Sequence, residues 1–247
     1  MKDIQVSVIV PVYNCVKYIE KALSSVLKQG TIWECIIVDD CSTDGTDKAI
    51  SEFLKDERFK YVRNEKNMGV AAGRNLGVSM ASGKYIAFLD GDDYWTDDKL
   101  EKQFKLMEDK NAVLSSTGRE LMDEDGRLTG KIIGIPQEIT YRKLIKGNVI
   151  NTSGAMVRRD VALKFPMTED HLHEDYIMWL SILKEYDKAF GINEPLLKYR
   201  IVKGSKSANK FKSAGMTYGV YRYVGMGRLK AFYCFCNYAV RGLLKYM

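Results

Sequence analysis

The chain has 247 residues, 46% of them hydrophobic and 28% charged, with a formal net charge of +6. This length and apolar content suffice for a packed core, which excludes a disordered chain, and no apolar run approaches the roughly eighteen residues of a membrane-spanning helix. The five cysteines (Cys15, Cys35, Cys41, Cys234, Cys236) form no CxxC pair and no disulfide framework, so they read as reduced, mostly buried thiols. Charged Lys2 and Asp3 lead straight into a strand pattern, so no signal peptide is expected and the body of the chain is expected in the cytoplasm. The positive charge suits nucleic acid, anionic lipid or a phosphorylated substrate equally, and its location must decide between them.

In chain order, Val6 to Val10 is a short apolar β-rich run, followed by Pro11-Val12-Tyr13-Asn14 and a helical pattern from Lys17 to Gln29. The unit recurs: Cys35 to Val38 ends in Asp39-Asp40, and Ser42-Thr43-Asp44 are expected to cap a helix predicted through Leu54. A third copy runs from Tyr61-Val62 through Asn67 into a helix around Ala71 to Ala81. A fourth strand, Tyr85 to Leu89, ends in Asp90-Gly91-Asp92-Asp93. Continuously apolar strands alternating with helices predict an α/β fold, Rossmann-like, with a mostly parallel central sheet and helices on both faces. In such a sheet ligands bind beyond the carboxyl ends of the strands, where every polar motif here falls.

Carboxylates as close as Asp90, Asp92 and Asp93 repel, and a hard divalent cation, Mg2+ or Mn2+, would neutralise them. The alternative is an ordinary Asp-Gly-Asp turn bonded to nearby amides. Tyr13, Asp39 with Asp40, Arg74 and the acidic cluster come from different strand-end loops, so the fold would converge them on one crevice. Those groups suit a nucleotide diphosphate: an aromatic ring to stack on a base, a carboxylate to accept a base N–H, and Arg74 with a metal to neutralise phosphates. Each also has a plainer reading: Tyr13 as a turn aromatic, Asp40 as a helix cap, Arg74 as a partner for a neighbouring carboxylate.

The strings Val6-Ser7-Val8-Ile9-Val10-Pro11-Val12-Tyr13-Asn14, Ile36-Ile37-Val38-Asp39-Asp40-Cys41-Ser42-Thr43-Asp44-Gly45-Thr46, Asn67-x-Gly69-x-Ala71-x-x-Arg74-Asn75-x-Gly77 and Leu89-Asp90-Gly91-Asp92-Asp93 resemble glycosyltransferase family 2 in order and spacing. The resemblance implies the GT-A fold, a nucleotide-sugar donor, a divalent metal and transfer with inversion at the anomeric carbon. By it Tyr13 and Asp40 would hold the base, Asp90 the ribose side, and Asp92, with Asp90, the metal. Pro11, Asn14, Asp39, Asn67 and Arg74 would complete the donor site. Cys41 stands where the family commonly has a small residue such as Gly.

Inverting transfer needs a general base, because an alcohol is a poor nucleophile. His173-Glu174-Asp175 place a carboxylate pair at the start of the helix Tyr176 to Leu180, where the family has its Glu-Asp motif. By that resemblance Asp175 is the expected base and Glu174 a supporting contact; the alternative is that both only favour the helix dipole, worth about 0.3–1 kcal/mol. Two positions depart from the family: Ser181 where Arg is common, and Val202 where a His often follows Tyr-Arg. The basic, Gly/Ser-rich stretch Lys198 to Ser207 suits closing over a pyrophosphate, the alternative being a solvated linker.

The expected layout is 1–212 as the GT-A unit, with 1–110 binding nucleotide-sugar and 111–212 acceptor, followed by 213–247 as a C-terminal amphipathic helical segment. There Leu229, Phe232, Tyr233, Cys236, Val240, Leu243, Leu244 and Met247 share one helix face, with Lys230, Asn237, Arg241 and Lys245 opposite. This reads as an interfacial helix on the inner face of an anionic membrane, or a helix docked on its own domain; nucleic acid is not an expected partner. Similarity to small bacterial O-antigen and capsule enzymes implies a UDP-sugar donor, of the glucose or galactose type first, and an undecaprenyl diphosphate-linked sugar acceptor; the alternative is a dTDP- or GDP-sugar donor or a protein acceptor. A nucleotidyltransferase would want a Gly-rich basic loop where Pro11-Val12-Tyr13-Asn14 stands, and a non-catalytic binder would lack the Glu174-Asp175 pair.

Overall fold

The computed structural model describes residues 3–202 and 210–246. Its first half is β1 (Val6–Val12), α1 (Ile19–Leu27), β2 (Trp33–Asp39), α2 (Thr46–Ser51), β3 (Phe59–Arg63), α3 (Val70–Met80) and β4 (Tyr85–Phe88). These strands are parallel in the order β3-β2-β1-β4. The chain steps outward from β1 to β3 and returns to the other side at β4, so the carboxyl ends of β1 and β4 flank a topological switch point, where open α/β sheets bind ligands.

Helix starts differ slightly from the pattern reading. α1 begins at Ile19 because Cys15 to Tyr18 form a turn, with Tyr18 and Ile19 N–H both donating to the Cys15 carbonyl. α2 begins at Thr46, after Gly45 at φ +95°; of the three expected capping residues it is Asp44 that accepts the Thr46 N–H, at 3.0 Å. α2 ends at Ser51 and passes into a 3-10 turn over Phe53–Lys55, short of a continuous helix to Leu54.

The second half contains β5 (Tyr94–Trp95), α4 (Lys99–Asp109), β6 (Leu114–Met122), β7 (Leu128–Ile133), β8 (Glu138–Thr140), α5 (Tyr141–Leu144), β9 (Met156–Arg158), α6 (Arg159–Lys164), α7 (Glu174–Glu185) and β10 (Lys188–Arg200). β9 lies antiparallel between β4 and β6, and β10 runs parallel to β6. The sheet is therefore parallel across its first four strands and mixed beyond them, since a hairpin such as β6–β7 enforces antiparallel pairing. Alternation along β1 splits the core: Val6, Val8 and Val10 pack with α1, α2 and α4, while Ile9 packs with α3, α6 and α7 on the other face.

Two further helices, α8 (Lys210–Tyr223) and α9 (Arg228–Tyr246), close the chain. Val220, Tyr221, Met226, Ala231 and Cys234 are buried in the same core as α3 and α7, so this segment is docked on the main unit. The Tyr221 ring packs edge-on against Tyr176 with centroids 6.0 Å apart, and its hydroxyl donates to the Ile145 carbonyl at 2.7 Å. Outward on α9 stand Leu229, Phe232 and Tyr233, 89%, 60% and 68% exposed, with Arg228 and Lys230 beside them. The helix thus has a docked side and an exposed apolar side. The side chains of Val240, Arg241, Leu243, Leu244, Lys245 and Met247, and the stretch Lys203 to Ser207 with its two lysines, lie outside the described residues. Among those described, no helix is long and apolar enough to cross a membrane.

Gly77 brings α3 onto β1: a Cβ there would stand 2.4 Å from Ile9 Cγ2. Overpacking costs about 1–3 kcal/mol and the helix gains about 1 from Gly to Ala. Gly77→Ala is therefore expected to lower the unfolding free energy by up to about 2 kcal/mol, read from the urea midpoint; an unchanged or raised midpoint would contradict this packing.

Candidate active site

Four loops meet at the switch point. After β1, Tyr13 is 54% exposed with its ring open to solvent, and Asn14 sits at φ +49°, a region Asn tolerates. Asn14 Oδ1 accepts the Thr43 N–H at 2.8 Å while its own N–H donates to Ser42 Oγ at 3.0 Å, so Asn14 ties the first loop to the second. Cys41 is also left-handed, at φ +67°, which is the physical reason a glycine would suit that position; its thiol donates to the Asn64 carbonyl at 2.8 Å.

Asp39 and Asp40 part company. Asp39 is fully buried, accepting from Ser42 N–H at 2.8 Å, Tyr61 Oη at 2.7 Å and Arg63 Nη1 at 3.0 Å. The expected donor contact from Asp39 is not in place, because every partner it has is internal and its carboxylate does not reach the surface. Asp40 Oδ1 accepts from Asn64 Nδ2 and Met68 N–H, and Oδ2 from Gly69 N–H, all at 2.8 Å. Asp40 is 6% exposed and braces the loop before α3; a carboxylate offers about four acceptor sites, so one of its sites is left without a partner in these three bonds. On that loop Asn67 is exposed, and Pro11 is half-buried at the end of β1.

Arg74 is 4% exposed, and it does not project toward solvent as a free phosphate-binding cation. Its Nη2 donates to Asp90 Oδ1 at 2.5 Å and its Nη1 to Glu174 Oε1 at 2.8 Å. Burial alone would depress its pKa, but the facing Asp90 and Glu174 charges carry it above the ordinary arginine value. The expected phosphate contact gives way to an ion pair on each side of the guanidinium, which joins the β4 loop to the first turn of α7.

This separates the Glu-Asp pair. Glu174 is buried on Arg74, whereas Asp175 is half-exposed toward the crevice. Asp175 Oδ2 accepts from Thr152 Oγ1 at 2.9 Å and Oδ1 from Tyr176 N–H at 2.7 Å. Thr152 begins a 3-10 turn, Thr152–Gly154, whose next residue meets the acidic cluster: the Asp90 N–H donates to Ser153 Oγ at 3.2 Å. Neither Thr152 nor Ser153 stood out in the sequence; the Asn-Thr-Ser-Gly run before β9 is the only signal, and it reads as a loop. His173 Nε2 lies 3.1 Å from both oxygens of Ser213, and His171 is exposed beside Glu169.

In the acidic cluster, burial first and the adjacent Asp90 charge second push the Asp92 pKa up to about 6, with Arg200 and Arg74 opposing. Asp93 is buried, its pKa raised by burial and by the charges of Asp92 and Asp90, and its Oδ1 accepts the Arg200 N–H at 2.8 Å. Asp93 thus fastens the cluster to the end of β10, leaving Asp90 and Asp92 as its partly exposed carboxylates. Among the described residues no three His, Cys, Asp or Glu side chains converge as a metal cage. Two hard oxygen donors fit a cation that keeps water and takes its remaining ligands from a bound diphosphate, the habit of Mg2+ and Mn2+.

The fold is one used for sugar transfer from nucleotides: a mannosyltransferase of Pyrobaculum calidifontis, solved with GDP-Man and Mn2+, superposes with a TM-score of 0.72 over 96% of this chain and 73% of that one, at 18% identity. The profile described as Glycosyl transferase family 2 matches residues 7–165, and the chain belongs to that family. It is 42% identical over 243 residues to TuaG of Bacillus subtilis, named for teichuronic acid biosynthesis, covering 97% of this chain and 96% of that protein. It is 37% identical over 248 residues to WfgD of Escherichia coli, named UDP-Glc:alpha-D-GlcNAc-diphosphoundecaprenol beta-1,3-glucosyltransferase, covering 100% and 96%. The chain is accordingly a glycosyltransferase with the GT-A fold.

A proton would compete with a divalent cation held by Asp92. With its pKa near 6, Mn2+ affinity in the presence of UDP is expected to fall about tenfold between pH 7 and pH 5, and Asp92→Asn to abolish both the binding and its pH dependence. Titration calorimetry checks this; a pH-independent affinity would remove Asp92 from the ion's ligands.

Proposed function

We propose that this glycosyltransferase moves a hexose, in the first place glucose or galactose, from a UDP-sugar to a sugar held on a polyprenyl diphosphate, with a divalent metal and with inversion. The observation that carries the reading is the end-to-end likeness to WfgD, whose name states such a donor and acceptor. The site chemistry supports it. Tyr13 offers a face for a base, the remaining acceptor site of Asp40 suits a base N–H, and Asp90 and Asp92 would hold Mn2+ or Mg2+. A bound metal would supply charge neutralisation for the departing diphosphate.

Asp175 is the general base in this reading. It takes the proton of the acceptor hydroxyl as that oxygen forms its bond to the anomeric carbon; the bond from that carbon to the phosphate oxygen breaks, and UDP leaves on the opposite face. Thr152 and the Tyr176 amide hold both carboxylate oxygens, which fixes the carboxylate's plane. Glu174 and Arg74 act as positioning residues that set Asp175 at a fixed place relative to Asp90. The exposed Leu229, Phe232 and Tyr233 with adjoining Arg228 and Lys230 suit peripheral attachment to an anionic membrane, where such an acceptor resides.

General-base loss costs about 10²–10⁴ in rate, so Asp175→Asn is expected to lose transfer by that order while UDP binding by calorimetry is retained. The Thr152 hydroxyl holds one oxygen of the Asp175 carboxylate, so Thr152→Val is expected to lower kcat while UDP binding by calorimetry is unchanged. Thr152→Ser, which keeps the hydroxyl, should restore kcat; a kcat unmoved by the valine variant would remove Thr152 from the positioning of Asp175. Full activity in Asp175→Asn would end the assignment of the base.

Cosedimentation with vesicles of phosphatidylglycerol tests the attachment. Leu229→Ser with Phe232→Ser is expected to shift the chain from pellet to supernatant, the wild type being released by salt only in part. Equal pelleting of the two proteins would turn this face toward a protein partner.

A further inference from the structure

A cavity of about 540 Å³ opens beside the acidic cluster, within the size range of ligand sites. Lys17 and Lys21 enter it from the first turns around α1, and Arg200 from the end of β10. Arg200 is 7% exposed, yet its guanidinium has no carboxylate partner among the described residues. Its Nη1 donates to the Glu124 carbonyl at 2.9 Å, its Nε to the Asp92 carbonyl at 2.8 Å, and its guanidinium lies 4.5 Å from the Tyr18 ring centroid. Lys21 Nζ lies 4.9 Å from the Tyr94 ring centroid, and neither lysine is ion-paired among the described residues. Glu124 and Asp125 also line the cavity; both are exposed, and Asp125 is 4.0 Å from Arg127. A buried guanidinium held only by carbonyls and a ring, with two unpaired ammonium groups around the same space, is a site for a multiply charged anion.

Its position identifies the anion. Arg200 binds the main chain of Asp92, the residue that would hold the metal on the donor's diphosphate. A sugar acceptor carried on a diphosphate offers a hydroxyl one pyranose ring away from that diphosphate. When the hydroxyl meets the donor's anomeric carbon, the two diphosphates therefore stand about one sugar ring apart and repel. The two carboxylates at 90 and 92 can serve only the first, so the second needs cations of its own. We propose that the cavity formed by Lys17, Lys21 and Arg200 is the subsite for the acceptor's diphosphate group, with Tyr18 and Tyr94 as its walls. This rests on the lipid diphosphate acceptor of the proposed function.

The test compares wild type with Lys17→Ala plus Lys21→Ala, two exposed positions whose loss leaves the core untouched. Transfer from a UDP-sugar is measured to N-acetylglucosamine linked to a short alkyl diphosphate and to the same sugar as an alkyl glycoside without phosphate. The expected result is a rise of about tenfold or more in KM for the diphosphate acceptor, no change in KM for the donor or in donor hydrolysis, and no change with the phosphate-free acceptor. A rise in donor KM alone would assign the cations to the donor's diphosphate and overturn the proposal, as would an unchanged acceptor KM. If wild type transfers to no diphosphate-linked sugar, the acceptor reading fails by itself, and calorimetry with the alkyl diphosphate in the presence of UDP and Mn2+ decides the subsite. Binding that is lost in the double variant keeps it; absence of binding to wild type overturns it.

Discussion

Arg74 is a fully charged side chain in the interior, and the geometry of the whole site follows from what satisfies it. Removing a guanidinium from water is expensive, and the structure compensates with Asp90 from one half of the chain and Glu174 from the other. Breaking one partner of such a buried arrangement leaves an uncompensated charge, so the three groups hold one another in register. The Asp90 loop and the first turn of α7 are separated by more than eighty residues in sequence, yet they have a single relative placement. Buried ion pairs are a poor source of net stability; their use here is to define position.

A second, neutral tie runs parallel to the first. The Thr152–Gly154 turn bonds Asp175 through the Thr152 hydroxyl and the Asp90 amide through the Ser153 hydroxyl. Together the two ties triangulate the half-exposed carboxylate against the acidic cluster. They also explain why two adjacent carboxylates at one helix start are placed differently: Glu174, turned inward, satisfies a buried cation, while Asp175, turned outward, stays half-exposed. Asp93 repeats the division at the other end of the crevice, bonding inward to β10 so that Asp90 and Asp92 can face a ligand.

The alternation of apolar strands and helices made the parallel half of the sheet legible, because local hydrophobic period and strand-end polar motifs both follow from chain-local physics. The antiparallel insertion of β9 between β4 and β6 was not legible: three residues, Met156–Arg158, carry no periodic signal, and their place depends on what lies seventy residues earlier. The candidate site divides along the same line. Residue types suited to the chemistry were visible at Tyr13, Asp40, Asp90, Asp92 and Asp175, but not which carboxylate faces inward. Asp39 and Asp40 are adjacent, chemically identical and both buried, and what parts them is their partners: Tyr61 and Arg63 for the first, the loop before α3 for the second. Arg74 reads as a phosphate ligand until its two partners, sixteen and one hundred residues away, are placed around it. Thr152 carries no signal at all, since a hydroxyl in a loop acquires meaning only from what it touches.

The C-terminal helices extend this rigidity to the outer surface. Asp175 is followed directly by Tyr176, whose hydroxyl donates to the Leu144 carbonyl at 2.7 Å and meets the Tyr221 hydroxyl at 3.2 Å. The helix that presents the carboxylate is thus the helix on which α8 docks, and α9 in turn packs on that docked pair through Ala231 and Cys234. An isolated amphipathic helix would tilt freely against any surface it met. Here its inner side is part of the core, so the exposed row of Leu229, Phe232 and Tyr233 keeps a set orientation to the crevice. A surface-bound acceptor engaging that row would then meet Asp175 from one direction, with the approach defined by tyrosine packing in the core.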